Sequence, residues 1–270
     1  MNQHPDDARS VIDQRSPRLL LCFAIYLRWY LKRNFHSLRI LKTGLPVDAG
    51  DKPLVIYSNH PSWWDPLIYI LIANQKFSSR IGFGPMELKA LENYAFMKRL
   101  GIYGVDSESR QGIRTFLRVS KHLLSIPNHC LWVSAQGEFS DPRSRPLGLR
   151  PGISYLLKNC PESIFMPMAI EYPFWDERYP EALVSFGQPI ESVKLKQLPR
   201  NNIMSILDSL LCQSMDDLAK MAATREQKHF ETVLEGNYGV GGIYHLTQQL
   251  KARFFGKSYH PKHGDIKINE

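Results

Sequence analysis

The sequence lacks the marks of several large protein classes. No run of about 18 apolar residues occurs, so no ordinary transmembrane span is expected. No Gly-x-Ser-x-Gly stretch is present, which argues against a serine nucleophile on a strand-to-helix elbow. Cysteine is scarce. Cys22, Cys130, Cys160 and Cys212 are widely spaced and include no Cys-x-x-Cys pair. They read as core thiols in a reducing compartment, with neither a zinc site nor a disulfide framework. Internal repeats and low-complexity tracts are missing, which removes solenoids and arrays. The glycine-rich stretch from Gly236 to Gly242 has no strand before it, which argues against a dinucleotide loop. Met1 to Asp7 is polar and acidic, the wrong character for a secretory signal. Acidic residues are the minority. With 34 Lys and Arg against 26 Asp and Glu, the net charge of +8 calls for an anionic partner. A membrane surface, an acyl carrier, coenzyme phosphates and nucleic acid all meet that description. Nucleic acid is the poorest fit, because the basic residues alternate with apolar faces instead of forming one stripe.

What is present begins with size. A chain of 270 residues that is 43% hydrophobic is long enough for a full core in one domain. The most informative stretch is Ser58-Asn59-His60-Pro61-Ser62-Trp63-Trp64-Asp65-Pro66. Pro53-Leu54-Val55-Ile56-Tyr57 leads into it and reads as a buried strand. Leu67 to Ile72 leads out as a helix, with Asp65 expected at the N-cap and Pro66 at the first helical position. His60 thus falls between a strand end and a helix start. Asp65, five residues on, is close enough to reach an imidazole nitrogen. A carboxylate in that place fixes the tautomer of a histidine and stabilises the imidazolium formed when it takes a proton. The simpler reading is a capped helix beside a turn histidine. His260 and Asp265 repeat the spacing without a flanking strand or helix, and we assign them no chemistry.

Along the rest of the chain, short strands and helices alternate. Leu19 to Leu27, flanked by Arg18 and Arg28 and followed by Trp29 and Tyr30, suits a helix lying at a membrane interface. The alternative is a helix packed on its own core. Further strands are expected at Arg80–Gly84, His129–Ser134, Ile164–Ile170 and Ala182–Gly187. Helices are expected within Met86–Leu100, after a Ser109 cap, over Ile153–Asn159, from Asn201 onward, and from Ile243 to Phe255. Arg114, Arg118 and Lys121 read as the solvated face of the Ser109 helix. Pro167 inside a strand predicts an edge or a bulge. We expect a polar lead and amphipathic helix over 1–45, a catalytic domain over 46–225, and a short helix with a polar tail over 226–270.

Asn59-His60-(four residues)-Asp65 resembles the first motif of the glycerolipid acyltransferase family, of the lysophosphatidate or lysophospholipid acyltransferase type. Three further stretches resemble its later motifs in the same order. Gly101-Ile102-Tyr103-Gly104-Val105 matches a glycine and apolar residues, but Asp106-Ser107 stands where an arginine is usual. Gln136-Gly137 stands for Glu-Gly, and Glu138-Phe139 for Thr-Arg. Ile164 to Ile170 is similar to an apolar strand interrupted by proline.

The resemblance implies a mixed α/β sheet surrounded by helices, a glycerol-3-phosphate acyltransferase-like fold. It implies an acyl group moved from acyl-CoA or acyl carrier protein to a lipid hydroxyl, with His60 as base and Asp65 orienting it. Backbone amides near Gly137 or at the Pro66 helix start are candidate oxyanion donors. Gln136 and Gly137 are candidate substrate contacts, and Arg143 and Arg145 candidate phosphate contacts. Neither metal nor bound cofactor is expected. A peripheral or monotopic place on the cytoplasmic side of a membrane follows from the same resemblance. The altered motif positions keep open a non-phosphate acceptor, such as a glycolipid or carotenoid, and a non-catalytic lipid- or carrier-binding protein.

Overall fold

Strands buried at nearly every position give this chain a sheet covered on both faces. The computed structural model describes residues 8–238. In chain order the elements are α1 (Ala8–Gln14), α2 (Pro17–Asn34), β1 (Ser37–Leu41), β2 (Leu54–Ser58), α3 (Asp65–Lys76), β3 (Ile81–Glu87), α4 (Leu88–Asn93), β4 (Ile102–Val105) and α5 (Arg110–Leu123). There follow β5 (His129–Ser134), α6 (Gly152–Asn159), β6 (Ile164–Glu171), β7 (Glu181–Phe186), β8 (Ile190–Glu191), α7 (Ser192–Leu195), α8 (Arg200–Ala223) and β9 (Phe230–Glu235). The strands form one mixed sheet in the order β4-β3-β5-β2-β6-β7-β1-β9, with β8 pairing β6. From β4 to β6 all pairs are parallel; β6–β7 and β1–β9 are antiparallel.

Successive side chains of a strand point to opposite faces. Leu54, Ile56, Cys130, Trp132, Met166 and Met168 therefore meet α2 and α3, through Leu27, Leu31, Ile68, Leu71 and Ile72. Val55, Tyr57, Leu131, Val133, Phe165 and Ala169 meet α5, α6 and α8, through Leu123, Ile153, Leu156, Ile203, Leu207 and Leu211. Ser109 caps α5 as the sequence predicts, accepting from the Gly112 amide at 2.9 Å.

Several expectations are corrected. Pro167 lies in an interior strand, paired with Tyr57 of β2 on one side. On the other side β7 pairs residues 168–171 and β8 pairs 164 and 165, so the proline fills the gap between two partners. Its missing N–H falls where the ladder is interrupted, and its carbonyl accepts from the Gly187 amide at 2.9 Å. Residues 37–41 and 230–235, expected in flanking segments, are strands of the sheet. Met86 and Glu87 end β3, leaving only a short helix and a 3-10 turn before Leu100. Cys22 is exposed, whereas Cys130 and Cys160 are buried, and burial pushes the Cys160 thiol up to about 11. The expected Ile243–Phe255 helix and the His260/Asp265 pair lie outside the described residues. Among the described residues, no helix is long and apolar enough to cross a membrane.

Candidate functional site

Parallel strands bring their C-terminal ends to one edge of the sheet, and the loops that follow build sites there. After β2 the chain turns to α3 on one face; after β5 it runs to α6 on the other. Neighbouring β2 and β5 thus send their chains to opposite faces, and His60 and Gln136 follow directly on their ends, joined by hydrogen bonds between the two loops.

Just past β2, Asn59 pins the turn. Its side-chain amide donates to the Ile170 carbonyl and accepts from the Ile170 amide, both at 2.9 Å, extending the β2–β6 contact by one step. His60 follows, and three bonds hold it. Its backbone N–H donates to Gln136 Oε1 at 2.7 Å, and its carbonyl accepts from the Ser140 amide at 2.9 Å. Its Nδ1 lies 2.6 Å from Asp65 Oδ2. A carboxylate only accepts, so Nδ1 carries the proton and Nε2 is left as the base. The Asp65 side chain is fully buried, while that of His60 keeps 17% of its exposure. The phenyl ring of Phe139, itself mostly exposed, covers one side of the imidazole at 4.5 Å between centroids.

Asp65 is the first residue of α3, after an N-cap position held by Trp64, whose side chain makes no cap bond. This corrects the expected N-cap. The carboxylate turns back instead. Oδ2 also accepts from the Ser62 amide at 3.2 Å, and Oδ1 accepts from the Tyr172 hydroxyl at 2.7 Å. Tyr172, not singled out from the sequence, is thus a polar partner of the dyad. Below the dyad, the Tyr69 hydroxyl bridges Ser58 Oγ at 2.5 Å and Ser134 Oγ at 2.9 Å. Burial, with the Asp65 charge adding to it, holds both tyrosine hydroxyls above their ordinary range, so they stay protonated.

The remaining predicted residues have other places. Gln136 is 3% exposed, and its Nε2 donates to the Leu147 carbonyl at 2.8 Å. Its amide is spent inside the protein, on the histidine backbone and on its own loop. Gly137 has a φ of +71°, and a Cβ there would stand 2.9 Å from Arg150 Cγ, so glycine answers to the backbone and to that arginine. Its amide donates to the Ser134 carbonyl, and the amides of Asp65 and Leu67 donate to Ser62 and Trp64. These three amides, among the candidate oxyanion donors, are therefore already engaged.

Arg143 forks onto Asp141 at 2.9 and 2.7 Å, which holds that carboxyl well below the usual range. Arg145 reaches Asp216 at 2.6 Å. Arg150, unforeseen in the sequence, donates to the Gln136 carbonyl at 3.2 Å and faces Glu138 at 3.8 Å. Glu171, at the end of β6, has its carboxyl raised by burial, with Arg143 partly opposing the shift. Among the described residues, no group of three or more His, Cys, Asp or Glu is placed to hold a metal ion.

No family model matches this chain, and no curated protein matches it in sequence. The site's own geometry has to carry its reading. A histidine whose proton position is fixed by a buried carboxylate, on a side chain that stays partly exposed, is fitted to take a proton from a hydroxyl.

Proposed function

We propose that this chain is an O-acyltransferase that moves a fatty acyl group from a thioester, acyl-CoA or acyl carrier protein, to a lipid hydroxyl. On this reading it is a glycerolipid acyltransferase with a glycerol-3-phosphate acyltransferase-like fold. The observation that carries it is the 2.6 Å bond between His60 Nδ1 and a fully buried Asp65, with the histidine side chain still partly exposed at the C-terminal end of β2. The four motif resemblances, in order along the chain, add the choice of acyl transfer over other base-catalysed reactions.

His60 Nε2 takes the proton of the acceptor hydroxyl as its oxygen attacks the thioester carbonyl carbon. The C–O bond forms, the C–S bond breaks, and the imidazolium returns its proton to the departing thiolate. Positioned proton transfer of this kind contributes about 10²–10⁴-fold. The acceptor we favour is a lysophospholipid or lysophosphatidate. A second acceptor class, an uncharged lipid alcohol, is favoured by the pairing of Arg143 and Arg145 with acids of the same chain. A peripheral place on the cytoplasmic side of a membrane fits the outer face of α2, where Leu21, Ile25, Tyr26 and Trp29 are all at least half exposed.

The test is turnover of acyl-CoA and acyl carrier protein thioesters with a panel of lysophospholipids and neutral lipid alcohols. His60→Ala is expected to lower turnover at least about 10²-fold without loss of the folded state, and Asp65→Asn nearly as much. Wild-type turnover retained by His60→Ala would end the proposal.

A further inference from the structure

The Asp65 carboxylate has two oxygens, and they are held differently. Oδ2 accepts from His60 Nδ1 and from the Ser62 amide. Oδ1 accepts from the Tyr172 hydroxyl at 2.7 Å, a residue 107 positions away that follows β6. The titratable groups facing this carboxylate are His60 from the turn, Tyr172 from beyond β6, and Tyr69 from α3 itself. Of these, the Tyr69 hydroxyl is occupied by Ser58 and Ser134.

We propose that Tyr172 is a positioning residue, whose hydroxyl fixes the rotation and charge of Asp65 and so sets the alignment of His60. This rests on the acyl-transfer reading only for its kinetic half. The ring is packed at 5.7 Å from Phe35, so it is anchored independently of its hydroxyl. Removing the hydroxyl leaves a fully buried carboxylate oxygen without that donor. The carboxylate then either turns about its last side-chain bond or places more of its charge on the Nδ1 proton. Both outcomes change the imidazole.

Tyr172→Phe keeps the ring and deletes the bond. The probes are the ¹H and ¹⁵N resonances of the His60 imidazole, and steady-state turnover across pH with the thioester and lipid acceptor that the wild-type protein uses. The Nδ1 proton is expected to move downfield, because a carboxylate with one donor fewer is a stronger acceptor. In turnover, kcat is expected to fall about ten- to a hundredfold with KM nearly unchanged. The acid limb of the pH–rate profile is expected to move to higher pH. 3-Fluorotyrosine at 172, a stronger donor in the same ring, is expected to move the Nδ1 proton the other way. It also serves if Tyr172→Phe does not fold. Tyr172 as simple packing predicts no sign reversal. An imidazole unmoved by Tyr172→Phe, or both substitutions shifting it the same way, would overturn the proposal. A wild-type protein that turns over no thioester would defeat the proposed function, yet the resonances would still decide whether Tyr172 holds the dyad.

Discussion

Gln136 shows how one side chain can serve two bonds of opposite sense. It accepts from the His60 amide and donates to the Leu147 carbonyl. A carboxylate would meet the first need and place a second acceptor against the carbonyl, so an amide suits this loop. Glu171 is the opposite case, a carboxylate in a place that disfavours its charge. Burial raises its pKa, so its ionised form costs the folded state stability above the ordinary value of 4.5. The favourable contribution of the protonated form is complete below that value and is lost as pH rises through the folded pKa. Glu171→Gln is therefore expected to raise Tm at pH 7 by about 1–3 °C, and the gain is expected to vanish below pH 4.5 in thermal melts. Residue by residue, the sequence makes the His60–Asp65 pair visible because the two lie five apart across a strand-to-helix turn. Tyr172 stays hidden, because its role depends on β6 lying beside β2. No local pattern states that adjacency.

Among the elements, α2 carries the clearest signal and the clearest ambiguity. Ser16 caps it through the Leu19 amide, and Ala24, Leu27 and Leu31 bury one face, so packing on the core is part of the answer. The other face is the one the packing reading leaves over. Ring contacts run from Phe96 through Phe23, Tyr26 and Tyr30 to Trp64 and Trp63, next to the His60 turn. Arg33 stacks on Trp29 at 4.9 Å. Ile25→Ser with Trp29→Ser is expected to cut co-sedimentation with anionic vesicles several-fold while leaving the circular dichroism spectrum unchanged; equal sedimentation would remove α2 from any membrane contact. Strand positions were legible wherever an apolar run was bounded by turn residues, as at His129–Ser134. The interior place of β6 was not, because a proline suggests an edge unless the break between β7 and β8 is known.

For the molecule as a whole, three strands far apart in sequence are tied by one buried polar group. Glu181 of β7 accepts from Ser37 Oγ and from Arg39 Nε at 3.2 Å, and His36 Nε2 lies 3.6 Å away. Arg39 also donates to Thr232 of β9 at 2.7 Å. Glu181→Ala leaves the Arg39 charge buried without its counter-ion. It is expected to cost about 3–5 kcal/mol and roughly 10 °C in Tm, read by thermal denaturation. The α/β class was legible in the alternation of short strands and helices. The membership of β1 and β9 was not, since both fall in stretches that read as flanks and join the sheet only through such long-range bonds.

The same distance along the chain has a consequence for how the site comes into being. The histidine and its aspartate are made within six residues of each other, and nothing prevents them from meeting early. The hydroxyl that steadies the aspartate arrives only when β6 has been synthesised and has slotted in beside β2. A nascent chain halted before that point holds the pair without its brace, so the site matures with the closing of the sheet and not before.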